Sequence, residues 1–291
     1  MKKILTVLAF AAGLLLSSSL YAADTLQIKG SDTLINMVQR LAEVYMESNP
    51  GNYIAVTGGG SGTGVAALIN KKCDIANSSR LMKQKEIDMA VAGGVNPKRI
   101  VVAIDGLSII TNASNPVDKL TFEQVGQIFR GEIKNWKELG GNDMPISLYG
   151  RQPNSGTYDF MLEVVLKGDY SQKMRQMNGN AQIVEAIRSD ASAIGYVGVG
   201  YVKDDQSGLN VAKIAAKSGG EYISPLDEKA VIDGTYTIAR PLNQYINGMP
   251  TGKVKDFLQF ELSDEGQKVV EEEGFFHIPD EYMKFNQAAG L

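Results

Sequence analysis

The chain has 291 residues, 44% hydrophobic and 21% charged, with 31 Gly, 9 Pro, one Cys, one His and one Trp and a formal charge of −4. That is enough apolar residue for a core and no cysteine pair for a staple, which excludes a disordered polypeptide, a collagen and a disulfide scaffold. At this length two domains are expected.

The first element is a targeting signal. Lys2 and Lys3 precede an apolar run over 4–16, and small residues follow at 17–23, which predicts a secretory signal peptide over 1–23, cleaved after Ala22 or Ala23. The run is shorter than the ~20 residues a spanning helix needs. No cysteine lies near the cleavage region, so no lipid anchor is expected and the mature protein is predicted to be a free soluble protein of an envelope compartment. Cleavage removes two lysines and no acid, leaving 27 basic against 33 acidic residues, or −6. No nucleic-acid partner is expected from that balance.

Leu26-Gln27-Ile28 alternates as a strand and enters Gly30-Ser31-Asp32-Thr33, after which Leu34, Val38, Leu41 and Tyr45 recur at helical spacing. Ser31, Asp32 or Thr33 would each cap that helix. Residues 52–57 predict a second strand, running into GGGSGTG at 58–64 and the helix-forming VAALINKK. Residues 73–76 predict a third, followed by Asn77-Ser78-Ser79-Arg80 and the helical KQKEIDMAVAGG. Residues 100–104 and 107–111 are strongly β-forming, and 121–129 reads as helix. A strand over 146–149 leads into GRQPNSGT at 150–157, with a helix over 158–166. A short helix over 182–188, a strand over 193–197, a return crossing over 234–241 and closing helices over 254–260 and 265–272 complete the chain. This alternation predicts an α/β protein with its ligand chemistry in the turns.

Four turns, at 30–33, 58–64, 77–80 and 150–157, place Gly, Ser or Thr just before a helix. Unpaired amides and the positive end of the helix dipole face outward there and attract anions. Hydroxyls add donors without bulk, and Arg151 adds a planar fork suited to an oxyanion. One such turn is ordinarily a cap or a tight turn. Four in one chain predict a pocket for a small dehydrated oxyanion. GGGSGTG lacks the lysine of a P-loop and the spacing of GxGxxG. A single His and a single Cys leave no metal-ligand cluster or His-activated nucleophile to expect. His277 reads as packing or surface, and Cys73 as a small apolar residue entering a strand.

With these residues in view, GSDTL, GGGSGTG, NSSR, RQPNSGT and AIGYVGVGY together resemble the phosphate-binding proteins of bacterial ABC phosphate importers, over essentially the whole mature chain. IFRGEIKNWKELGG is similar to a second-lobe segment of that family, with Trp136 read as packing. The resemblance implies a two-lobed periplasmic binding protein of type II, each lobe a mixed sheet flanked by helices, joined by two hinge crossings. The lobes would be 24–107 with 240–291, and 108–239. It implies phosphate contacts from Thr33, the Leu34 amide, Ser61, Ser79, Arg151, Ser155, Gly156 and Thr157, with Ser31, Asp32 and Arg80 as further candidates in the same turns. The implied function is phosphate capture in the interlobe cleft and delivery to an importer permease, by a monomer that is not an enzyme and carries no cofactor. Another oxyanion (sulfate, molybdate or a phosphonate) and an envelope phosphatase are the alternatives.

Two positions depart from the family pattern. Members that separate phosphate from sulfate often have a carboxylate where this chain has Ser79, and often an acid where it has Pro153. Asp32 is the candidate substitute: a carboxylate repels an anion unless it accepts a hydrogen bond, and hydrogen phosphate has a proton to give whereas sulfate does not. A plain helix cap is the other reading of Asp32. Arg80 is expected to pair with the anion or with Asp32, or to extend into solvent.

Overall fold

Leu26 and Ile28 alternate with polar neighbours in β1 (Thr25–Gly30), and that period of two buries one face of the strand. The computed structural model describes residues 25–291, so the predicted signal segment over 1–23 lies outside the described residues. In α1 (Ile35–Ser48) the apolar positions return at helical spacing and bury Met37, Val38, Leu41, Ala42 and Tyr45. The unit repeats with β2 (Tyr53–Thr57) and α2 (Ser61–Ile69), then β3 (Ile75–Ser78) and α3 (Gln84–Ala92), and β4 (Pro97–Gly106) follows.

The chain then leaves through Leu107 into β5 (Ser108–Asn112), β6 (Lys119–Thr121), α4 (Phe122–Arg130) and β7 (Ser147–Arg151). Next come α5 (Gly156–Phe160), a π-helical turn Met161–Leu166, β8 (Arg175–Met177), α6 (Asn180–Ser189), β9 (Ala193–Val197), β10 (Leu209–Val211), β11 (Lys213–Ala215), β12 (Tyr222–Ile223) and α7 (Glu228–Ile232). It returns in β13 (Ala239–Asn247) and closes with α8 (Gly252–Glu261), α9 (Asp264–Glu272) and α10 (Asp280–Ala288).

Two mixed five-stranded sheets result. One has the order β2-β1-β3-β13-β4, parallel among β2, β1 and β3 and antiparallel on both sides of β13. The other has the order β10-β5-β9-β7-β8, parallel among β9, β7 and β8. A small sheet, β12-β11-β6, accompanies the second. Leu107 sits beside the returning chain: its N–H donates to Ile238 O at 3.1 Å, and the Tyr236 hydroxyl donates to its carbonyl at 2.7 Å. The two crossings are thus bonded to each other.

Three differences from expectation have physical causes. The helix expected from 158 starts at Gly156 because Ser155 Oγ accepts from the Tyr158 amide, and it widens into the π turn at Met161. The third strand begins at Ile75 rather than Cys73. The return crossing is the start of a nine-residue strand, β13, inside the first sheet. Its pattern ARPLNQYIN hides the strand because Arg240, Asn243 and Gln244 are buried polar residues, and because Pro241, which cannot donate to a ladder, precedes a bulge at Leu242/Asn243.

Candidate functional site

Three strand ends of the first sheet meet at one point. Gly30, with φ +138°, lies against the Asn77 carbonyl so closely that a Cβ would overlap it. That approach lets Ser31 N–H donate to Asn77 O and Gly60 N–H donate to Gly30 O, both at 2.9 Å. The turns after β1, β2 and β3 are therefore pinned together at the carboxyl edge of the sheet, where α/β proteins place ligands.

Their hydroxyls converge. Ser31 Oγ donates to Ser79 Oγ at 3.0 Å, Ser61 Oγ lies 3.3 Å from Ser79 Oγ, and the Ser79 amide donates to Ser61 Oγ at 3.0 Å. The second sheet supplies Thr157, whose Oγ1 is 2.9 Å from Thr33 Oγ1 and 3.4 Å from Ser79 Oγ. All five side chains are buried. Ser155 is the N-cap of α5, and Gly156 and Thr157 are its first two residues, whose amides have no partner within the helix. At Gly156 a Cβ would overlap the hydroxyls of Ser61 and Ser79, so only glycine lets α5 come this close. Leu34 is buried beside them, and its amide donates to Ser31 O at 3.3 Å.

Arg151, at the end of β7, is fully buried. Its Nη2 donates to Asn178 O at 2.9 Å and to Asp32 Oδ2, and its Nε lies 3.2 Å from Met177 O. Its amide donates to the hydroxyl of Tyr196, whose phenol burial pushes up to about 12. Asp32 Oδ1 accepts from Gly59 N–H at 2.7 Å. Further bonds join the same turns to the second sheet: Tyr201 donates to Asp32 O at 2.6 Å, Gly62 N–H to Asn154 O at 2.9 Å and Asn154 Nδ2 to Gly59 O at 2.7 Å.

Two expectations are corrected. None of Ser31, Asp32 or Thr33 caps α1: its N-cap is Leu34, with no side-chain cap bond, and Ser31 Oγ instead accepts from the Thr33 amide at 3.2 Å. Arg80 pairs neither with Asp32 nor with solvent. Its Nη1 and Nη2 donate to the two Glu86 oxygens at 2.8 and 2.7 Å, and Asp159 Oδ2 lies 2.7 Å from its Nε. Burial works against its charge, but those two carboxylates outweigh it and hold its pKa above the usual arginine range.

The cation beside the hydroxyls that sequence reasoning missed is Arg240, at the start of β13. It is buried, donates from Nε and Nη2 to Asp105 Oδ2 at 2.9 and 2.8 Å, and reaches Thr157 Oγ1 and Ser79 O, each at 3.0 Å. Burial pushes its pKa down, and Asp105 opposes that shift. Asp105 Oδ1 in turn accepts from Val199 N–H at 2.8 Å. The available signal was an arginine in a crossing already assigned to the hinge.

Residues 17–265 match the family described as the PBP superfamily domain. The phosphate-binding protein PstS of Pseudomonas aeruginosa is 30% identical over 96% of this chain and 95% of its own length. The chain belongs to the PstS phosphate-binding proteins of that superfamily. PstS of Bacillus subtilis is 32% identical over 89% of this chain and 82% of its own. Two solved structures resemble the fold, each 28% identical. One, from Clostridium perfringens, is described as a phosphate ABC transporter substrate-binding protein with bound phosphate (TM-score 0.77, 88% of this chain and 100% of that one). The other is an ABC-type phosphate transport receptor from Vibrio cholerae (TM-score 0.69, 87% and 100%). The two mixed sheets are accordingly the lobes of a type II periplasmic binding protein, and the paired crossings are its hinge.

Proposed function

We propose that this protein binds inorganic phosphate where the two lobes meet and delivers it to the permease of an ABC importer. The observation that carries this reading is the cluster of five buried hydroxyls drawn from both lobes, flanked by Arg151 and Arg240. Each arginine has its own carboxylate, Asp32 and Asp105, so the four side chains sum to zero charge. Binding then rests on hydroxyls, on the helix-start amides of Gly156 and Thr157 and on oriented guanidinium donors, rather than on a net positive pocket. An oxyanion among the hydroxyls exchanges neutral hydroxyl–hydroxyl contacts for charge-assisted bonds, which are roughly twice as strong. Because donors come from both lobes, the anion favours the closed form.

The lobe limits we propose are 24–107 with 240–291, and 108–239; strand membership of the two large sheets supports them. Thr33, Leu34, Ser61, Ser79, Arg151, Ser155, Gly156 and Thr157 are the proposed contacts, Ser31 supports Ser79, and Arg80 serves the wall around Asp159. Asp32 holds Arg151 across the cleft and accepts the proton of hydrogen phosphate. Its lack of a capping role supports that second task. We further propose a periplasmic, monomeric binding protein without catalysis. The thiol of Cys73 is pushed by burial up to about 12, far from a nucleophile, and His277 is engaged by Glu228 and Glu271 outside the cluster. Among the described residues no helix is long and apolar enough to cross a membrane.

Calorimetric titration of mature protein, stripped of carried-over ligand by unfolding and refolding, tests this. Phosphate should bind at or below about 1 μM, equivalent to roughly 8 kcal/mol or more, with sulfate inert as competitor. No heat and no thermal stabilisation by phosphate would overturn the reading. Asp32→Asn should let sulfate compete; unchanged discrimination at intact phosphate affinity would remove the proton-accepting role.

A further inference from the structure

We infer that Glu228, Glu271 and His277 form a site for a divalent transition-metal ion of the Zn²⁺ kind, separate from the oxyanion cluster. His277 Nδ1 lies 3.0 Å from Glu271 Oε1 and 3.2 Å from Glu228 Oε1, and one ligand atom from each residue falls within 4.8 Å of the others. Tetrahedral zinc with bonds of about 2.0–2.2 Å sets its ligands about 3.3–3.5 Å apart. The two histidine edges already approach that spacing, so a small rotation of each glutamate completes a three-ligand face.

The backbone holds all three residues in place. Glu271 lies in the last turn of α9. Glu228 is the first residue of α7, whose start is fixed by Asp227 Oδ1 accepting from the Ala230 amide at 3.1 Å. His277 stands between Phe276, bridged to Ile104 in both directions, and Ile278, whose amide donates to Gln267 Oε1 at 2.9 Å. Two carboxylates converge on one imidazole nitrogen, and a dication bound between them neutralises both. One nitrogen and two oxygens favour Zn²⁺, Co²⁺ or Ni²⁺ over Ca²⁺ or Mg²⁺, which take oxygen. The side chains are between 42% and 50% exposed, so an ion enters from solvent and keeps a water position open.

The ion would tie α7, in the segment before the return crossing, to the closing segment of the other lobe. α7 packs against β4 at the hinge, where a Cβ on Gly106 would strike Pro225 O. Metal binding therefore stabilises the hinge region.

Tag-free mature protein, treated with chelator and then dialysed into phosphate-free buffer, would be titrated with Zn²⁺ by calorimetry and with Co²⁺ by visible absorption. One equivalent should bind, Co²⁺ should give the intense bands of low coordination number, and Zn²⁺ should raise the unfolding temperature. His277→Ala and Glu271→Gln should each weaken Zn²⁺ by at least about tenfold, with metal-free folding and phosphate affinity retained. Absence of saturable one-to-one binding, or wild-type Zn²⁺ affinity in His277→Ala, would overturn the inference.

Discussion

Arg80 and Arg240 are both buried arginines beside Ser79, and their surroundings give them different work. Arg80 follows Ser79 in the chain, but its guanidinium turns to Glu86 and Asp159, two carboxylates that consume its charge and its directed donors. Arg240 lies 161 residues from Ser79 and reaches its carbonyl, together with Thr157 Oγ1 and Asp105. Asp105 is the last residue but one of the outgoing strand and Arg240 the second of the returning one, so this pair joins both crossings at the hydroxyl cluster. A guanidinium shared between one carboxylate and the hydroxyl cluster keeps donors directed at that cluster, whereas one held by two carboxylates is structural. Proximity in sequence therefore misleads where proximity in space decides.

The comparison breaks first at Arg240. Arg240→Ala leaves Asp105 buried without its cation, and such a loss costs about 3–5 kcal/mol; urea unfolding should show it, with weakened phosphate binding in whatever remains folded. A stability loss smaller than that of Arg80→Ala would reverse the ranking of the two arginines. Next, Arg151→Ala should weaken phosphate by about 2–5 kcal/mol, since truncating one partner of a buried hydrogen-bonded pair strands the other. Calorimetry reads this directly, and an unchanged affinity would remove Arg151 from the site. Arg80→Ala should leave phosphate affinity within about 1 kcal/mol, its cost appearing in thermal stability, because Glu86 and Asp159 then lose the guanidinium they share and keep only Lys83, whose Nζ lies 3.0 Å from Asp159 Oδ2 and whose amide donates to Glu86 Oε2 at 2.8 Å.

Glu261 sharpens the same contrast as a buried acid that meets an amide rather than a guanidinium. Its carboxylate accepts from Gln244 Nε2 at 3.1 Å, and burial raises its pKa from 4.5 to about 8. The folded state thus holds a proton that the unfolded state releases. Glu261's contribution to stability is full below about pH 4.5 and falls as pH rises toward about 8. Glu261→Gln should flatten that part of the stability–pH profile, measured by denaturant midpoints between pH 5 and 8; a profile unchanged by the substitution would show that Glu261 is not its source.

Much of the architecture could be read directly. Helical spacing marked α1, glycine and hydroxyl turns lay at the starts of α2 and α5, and Arg151 was legible as the arginine of such a turn, although the structure makes it the last residue of β7. These features depend on neighbours a few residues away, and local propensity carries them. β13 was not legible, because Arg240, Asn243 and Gln244 are polar residues whose burial is satisfied by Asp105, Arg99 and Asn77, between 135 and 167 residues distant. No periodicity records such a partner.

By itself the sequence determined the alternating α/β order, the four anion-type turns and the presence of an arginine in one of them, since each is a matter of composition and spacing within a single turn of chain. The tertiary structure alone decided that Asp32 serves Arg151 rather than a helix end, that Arg80 is spent on carboxylates, and that Arg240 joins the hinge to the hydroxyls. A charged group's role is set by which opposite charges and donors lie within about 3–4 Å of it in a low-dielectric interior, and that neighbourhood exists only after the two lobes have folded against each other.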